Sequence, residues 1–171
     1  MDIDKSVEEI SFKEFKKIID INLFGVFLCS KYVFPYMKKE KNGSIINIAS
    51  THAFNTTENV SAYASSKGGV VAMTRSMGLE FGKYGIRVNA ICPGFIWTSI
   101  VEKFVSQEAN PEAVKKYYEN LQPIGHMGKP EDIANFVIFL GSDLSSYMTA
   151  ATIVVDGGVS AELFKAYKTN L

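Results

Sequence analysis

"SIINIAS", residues 44 to 50, is a nearly unbroken run of β-branched and small apolar residues. A strand with one wet face alternates polar and apolar positions, whereas a strand covered on both faces reads as a continuous run. The stretch therefore predicts a strand buried on both faces. "IRVNAI" (86–91) repeats the pattern, and "ATIVVDGG" (151–158) supplies a third strand. Helical segments lie between them, and strands alternating with helices of this length form βαβ units around a parallel sheet. Right-handed crossovers then place helices on both faces. The expected fold is α/β, a doubly wound parallel sheet in a single domain.

Working outward, "ISFKEF" (10–15) carries a helix start, with Ser11 as cap and Glu14 three places on to close a capping box. The apolar period near 3.6 that follows predicts one helix, kinked or restarted at Pro35 and ended by "KNG" (41–43). A second helix is expected over 61–82, polar helices near 99–108 and 111–121, and a helix at "PEDIANFVIFLGS" with Pro130 in its first turn. Only three strands are visible, and no G-x-G-x-x-G loop occurs in the 171 residues. The strand at 44–50 reads as interior with no earlier strand to lie beside it, so the sheet is expected to lack its first strands and its glycine-rich loop.

Eighteen basic residues balance eighteen acidic ones, which argues against a nucleic-acid or anionic-membrane footprint. Cys29 and Cys92 stand apart and read as reduced thiols in a cytoplasmic setting. His52 and His126 have no cysteine nearby, so no metal site is expected. The most apolar windows, "INLFGVFLCSKYVF" and "NFVIFLG", are short or interrupted by Asn22, Gly25 and Lys31, and neither is expected to span a bilayer.

In doubly wound sheets, ligands bind outside the carboxyl ends of the strands. Ser50 ends the first strand, Pro93 and Gly94 follow the second, and Tyr63 and Lys67 share one face of the helix between them. Such a set suits hydride transfer. Oxidising an alcohol requires a base for the hydroxyl proton, and a phenol serves if its pKa, ordinarily about 10, is brought near neutrality. That requires about 4 kcal/mol, roughly what a lysine cation ~4 Å away supplies at an effective dielectric of 20. A serine hydroxyl can orient the reacting oxygen.

These residues, with "INLFGVF" (21–27), "GSIINIAS" (43–50), "YASSK" (63–67), "RVNAICPGFIWT" (87–98) and "VVDGG" (154–158), resemble the short-chain dehydrogenase/reductases, NAD(P)-dependent enzymes on a Rossmann-type fold. The resemblance implies Tyr63 as acid/base, with Lys67 favouring its ionised form and holding the nicotinamide ribose. It implies Ser50 as donor to the substrate oxygen and Asn22 as the anchor of a water in a proton relay. Pro93, Gly94, Ile96 and Thr98 would touch the nicotinamide half of NAD or NADP. The substrate would be a small alcohol or ketone, and the assembly a homo-oligomer. The three-residue gap between Tyr63 and Lys67 argues against the family's enoyl-reductase branch.

Against the family pattern, the glycine-rich turn and the steps around it are absent, about 90 residues at roughly 30 per βαβ unit. The chain is accordingly expected to be an amino-terminally truncated form. Ala150-Ala151 stands where glycine is usual and is expected to crowd a turn, and His126 stands where arginine is common. An alternative is an inactive remnant that associates with intact subunits through helices 11–40 and 61–82. A serine hydrolase using Ser50 lacks a G-x-S-x-G elbow and a placed histidine. The aromatics Phe95, Trp97, Phe104, Tyr117 and Tyr118 either line a substrate pocket or pack two short helices together.

Overall fold

The computed structural model describes residues 5–162. Its centre is a parallel three-stranded sheet in the order β1 (Gly43–Ile48), β2 (Ile86–Pro93), β3 (Thr152–Val155). Ile45 pairs with Val88 across the first pair of strands, and Cys92 with Val154 across the second. Side chains alternate across this sheet. Ile45, Ile86 and Val88 join Met77 and Phe81 of α3 (Ser61–Gly82) in a core completed by α2 (Gly25–Glu40). On the opposite face Ser44 donates to the Leu140 carbonyl of α6 (Pro130–Gly141) at 2.7 Å, and Arg87 donates to Ser142 and Ser145. Helices thus cover both faces, as the continuous apolar strands required. Ile86 and Val88 are 1% and 0% exposed, each burial stabilising by about 1.5–3 kcal/mol.

The polar residues Asn47, Thr74 and Asn89 inside this core are paired. Asn47 donates to Thr74 at 2.8 Å, and Thr74 donates in turn to the Val70 carbonyl. Asn89, fully buried, donates to the Met148 carbonyl and accepts from the Ala151 amide. These bonds fasten β1 to α3 and β2 to the chain entering β3.

Several boundaries differ from expectation. The first helix is two helices, α1 (Phe12–Ile19) and α2, joined by a π-helical turn over Asp20–Phe24. The break expected at Pro35 does not occur, and α2 runs through it. A proline in a helix interior costs about 3 kcal/mol. Here Phe34 stacks on Phe81 at 4.1 Å and Met37 packs against Gly43, so tertiary contacts outweigh that cost. The helix ends with Lys41 rather than a glycine in the left-handed position, at φ 50°. β1 stops at Ile48, two residues short of Ser50, and pairs with β2 alone among the described residues. It is an edge strand there, as expected of a sheet lacking its first strands. β2 extends to Pro93. β3 ends at Val155 because Gly157 and Gly158 turn the chain at φ 64° and 88°.

The expectation that no apolar stretch reaches membrane-spanning length also needs correction. Phe12–Glu40 is one continuous helical run of 29 residues, long and apolar enough by length and composition to cross a bilayer. Asn22 lies in the π-turn and Gly25 opens α2, so neither interrupts the run, and the Lys31 ammonium lies 5.8 Å from the Phe27 ring. One side of the run packs on β1 and α3, and most of its residues are not buried.

The expected capping box is present: Ser11 and Glu14 bond reciprocally. Lys5 donates to Glu14 at 2.6 Å, and with Ser11 it holds the Glu14 carboxyl at about 2. The remaining helices, α4 (Ser99–Val105), α5 (Pro111–Leu121) and α6, lie where the sequence placed them, Pro130 opening α6.

Candidate active site

Ser50 lies just past the carboxyl end of β1, where it caps a short turn of 3-10 helix at Thr51–Ala53. It is 7% exposed, and its Oγ accepts the His52 amide proton at 3.2 Å. With that lone pair occupied, the hydroxyl proton is what Ser50 offers to an incoming oxygen.

Tyr63 and Lys67 fall on consecutive turns of α3, both half-buried. The Lys67 Nζ is 5.7 Å from the Tyr63 ring centroid and donates to the Ile48 carbonyl at 2.9 Å. The last residue of β1 thus anchors the cation beside the phenol. Burial pulls the Lys67 pKa below its ordinary value, and the charge interaction with Cys92 pulls it back up. Cys92 is fully buried near the end of β2. Burial pushes its thiol pKa up, against the Ser50 amide and the Lys67 cation, which pull it down.

Asn22 sits in the π-turn, a helical irregularity that recurs at functional sites. Its Nδ2 donates to the Ser66 hydroxyl at 3.2 Å, and Ser66 donates to the Tyr63 carbonyl at 2.7 Å. Ser66 is 0% exposed, so this relay locks the first helical run onto the turn of α3 that carries Tyr63.

The segment Pro93–Thr98 leaves the end of β2 next to the Ser50 corner. Gly94 is required by packing: a Cβ there would lie 2.6 Å from the Asp156 Cβ. Its amide donates to the Val155 carbonyl at 2.9 Å. Ile96 bridges to Gly128, and Thr98 caps α4 through Val101. All four positions keep partial exposure. The Lys67 cation and this half-exposed loop at the strand ends fit the nicotinamide and ribose half of a dinucleotide.

Two relationships escaped the sequence reading. His52, which reads as a loop histidine, puts its ring against Tyr63 edge-on, 5.5 Å between centroids, and its Nδ1 is 3.0 Å from the Thr56 hydroxyl. Ser66 reads as filler within "YASSK" and proves to be the link to Asn22. No spacing rule signals either, since both depend on contacts formed by chain closure. Among the aromatics, Phe95 stacks on Tyr118 at 4.3 Å, and Lys115 lies 5.5 Å from the Trp97 ring. These contacts tie α5 to the Pro93–Thr98 segment, while Phe104 and Tyr117 remain 52% and 60% exposed.

Comparison with known proteins agrees with this architecture. The family model described as enoyl-(acyl carrier protein) reductase matches residues 1–160. Levodione reductase of Leifsonia aquatica is 40% identical over 156 residues, covering 90% of this chain and 58% of that protein. The chain therefore spans less than three fifths of that relative's length. The ligand-free aldohexose dehydrogenase of Thermoplasma acidophilum superposes with a TM-score of 0.90 at 35% identity, over 96% of this chain and 66% of that one. ElxO with NADP bound superposes at 0.86 with 28% identity, over 93% and 63%. The family model matched over residues 1–160, the 40% identity to a relative along 90% of the chain and the close superposition on solved structures make this chain a member of the short-chain dehydrogenase/reductase family.

Proposed function

We propose that the chain acts as an NAD- or NADP-dependent oxidoreductase interconverting a secondary alcohol and a ketone. One observation carries the reading: the Lys67 ammonium, fixed by the Ile48 carbonyl, stands beside the Tyr63 ring at the strand edge where Ser50 emerges. A positive charge beside a phenol favours its ionised form. In the reducing direction the substrate carbonyl accepts hydrogen bonds from the Ser50 and Tyr63 hydroxyls, and Tyr63 delivers its proton to the developing alkoxide. Lys67 balances the phenolate that remains. In the oxidising direction Tyr63 takes the alcohol proton back. Asn22, held through Ser66, keeps the first turns of α3 in register and anchors a water through which the proton is replenished.

When bound, a nicotinamide supplies or receives the hydride at the substrate carbon. Lys67 would hold its ribose, and Pro93, Gly94, Ile96 and Thr98 would line its ring side. The relatives support the cofactor and the reaction class, since they include a reductase, a sugar dehydrogenase and a protein with NADP bound. The spacing of Tyr63 and Lys67 supports carbonyl rather than enoyl reduction. Homo-oligomeric assembly is supported by the apolar groove along the first helical run and α3, lined by Leu23, Phe24, Phe27, Leu28, Gly69 and Met73. The balanced charge and unpaired thiols support a cytoplasmic setting without a nucleic-acid or membrane partner.

The test is titration of the purified chain with NADH and with NADPH, following nicotinamide fluorescence. Saturable binding of one or both, weakened in Lys67→Met, is expected. Silence towards both cofactors overturns the proposal.

A further inference from the structure

The turn that follows β1 is held from several directions. Ser50 caps the single 3-10 turn at Thr51–Ala53, and the Phe54 and Asn55 amides both donate to the Thr51 carbonyl at 2.9 Å. Ala53 packs against the core group of Ala49, Val70, Val71 and Cys92. Asn55 donates from Nδ2 to the Ser160 carbonyl at 3.0 Å, which ties the turn to the chain beyond β3. This turn carries His52.

His52 touches both hydroxyl-bearing residues assigned to the substrate oxygen. Its amide donates to the Ser50 Oγ at 3.2 Å, and its ring meets the Tyr63 ring at 5.5 Å between centroids and 78° between planes. Edge contact at this separation is a favoured aromatic geometry. The imidazole is itself fixed, because Nδ1 lies 3.0 Å from the Thr56 hydroxyl, a bond that sets the rotation of the ring.

Tyr63 has less to aim it. The residue is half-buried, and its hydroxyl makes no hydrogen bond among the described residues. The Lys67 ammonium lies 5.7 Å from the ring centroid, and a charge at that distance acts on the phenol with little dependence on ring angle. Contact between two rings does depend on angle. We propose that His52 is a positioning residue: its ring sets the orientation of the Tyr63 phenol while its amide orients the Ser50 hydroxyl, so that both are referenced to one turn and aimed at one oxygen. The inference rests on the oxidoreductase reading for what Tyr63 does. Proton transfer between positioned groups falls steeply with misalignment, which is what gives an orienting ring a kinetic effect.

The test uses the whole chain with His52→Ala, His52→Phe and Thr56→Val, all outside the buried core. Each variant keeps the backbone amide at 52, so the ring's part is isolated. The first readout needs neither cofactor nor substrate: NMR relaxation of isotope-labelled tyrosine rings, the Tyr63 signal being the one lost in Tyr63→Phe. The Tyr63 ring should be ordered in the parent and in His52→Phe, mobile in His52→Ala, and intermediate in Thr56→Val. The second is steady-state oxidation of cyclohexanol with NAD or NADP. His52→Ala should lower kcat about 10–100-fold with cofactor Kd and Tm unchanged, and His52→Phe should restore kcat to within about threefold of the parent. A parent without turnover counts against the oxidoreductase reading alone, and the ring readout then decides the positioning role by itself. A Tyr63 ring as ordered in His52→Ala as in the parent would overturn the proposal. So would a kcat loss that His52→Phe fails to restore, or one matched by an equal loss of cofactor affinity.

Discussion

Lys67 donates from Nζ to the carbonyl of Ile48, 2.9 Å away at the final residue of β1. A half-buried ammonium needs a partner, and here the partner is the end of the strand that delivers Ser50. The bond therefore fixes the cation relative to both Tyr63 and Ser50. Lys67→Met keeps the stem and removes the charge. It should weaken nicotinamide cofactor binding at least about tenfold and lower turnover by about 10²–10⁴. Fluorescence titration and steady-state kinetics check the two effects separately.

Tyr63→Phe removes one oxygen and leaves the edge contact with His52 in place. Turnover should fall by several orders of magnitude, with cofactor affinity unchanged and thermal stability within about 0.5 kcal/mol of the parent. Retention of most activity, measured by nicotinamide absorbance, would remove Tyr63 from the acid/base role.

The buried Cys92 and the half-buried Lys67 under the site oppose one another in alkali. Cys92 has its pKa raised, chiefly by burial, above its ordinary 9.0. The unfolded chain then loses this proton first as pH rises, so the group's contribution is complete below pH 9.0 and is lost as pH climbs towards the raised folded value. Lys67, lowered chiefly by burial from its ordinary 10.5, works the other way: folding disfavours its proton, and stability is regained as pH rises from the lowered value to 10.5. Denaturant melts from pH 8 upward should show Cys92→Ala losing the downward slope and Lys67→Met losing the upward one. Each slope is bounded at about 1.4 kcal/mol per pH unit. Parallel profiles for parent and variants would contradict the assignment.

Thr74→Val tests the buried polar link between sheet and helix. The substitution keeps the shape but strands the Asn47 amide, 6% exposed, without its acceptor at 2.8 Å. A loss of about 1–3 kcal/mol is expected from urea unfolding, far above that of a surface change.

Where the sequence was legible, one physical rule acted over short range. Continuous β-branched runs gave three strands with helices on both faces, a capping residue gave the start of α1 and Pro130 that of α6, and i, i+4 spacing put Tyr63 and Lys67 on one helix face. Where it was not, the deciding contact was distant. Pro35 stays inside α2 because of Phe81, 46 positions on, and the π-turn at Asp20–Phe24 places Asn22 on Ser66, 44 positions on. The end of β3 was missed for a local reason, since apolar character continues into "VVDGG" while two left-handed glycines turn the backbone. His52 shows the same limit at the site: its identity carries no signal, and only the turn that Ser50 caps swings it against Tyr63.

The alanines before β3 bear out the expected crowding and give a stability prediction of definite sign. Ala150 adopts φ 58°, a left-handed conformation that strains a residue with a Cβ, and its amide donates to the Val88 carbonyl at 2.7 Å, so the turn cannot relax without breaking a ladder bond. Across from it, Gly78 of α3 approaches so closely that an added Cβ would lie 2.7 Å from the Ala150 nitrogen and 2.8 Å from its Cα. Ala150→Gly should stabilise by about 0.5–1 kcal/mol, the relief of strain exceeding the added freedom of the unfolded chain, and raise Tm by about 2–4 °C. Gly78→Ala should destabilise by about 1–3 kcal/mol, because backbone atoms cannot give way as a flexible side chain would. Combining the two should leave much of that loss in place, since the added Cβ would still meet the Ala150 nitrogen and Cα at 2.7 and 2.8 Å once the methyl carbon, itself at 2.8 Å, is gone. A double variant as stable as Ala150→Gly alone would show that the methyl, not the backbone, sets the approach of α3 to the last strand.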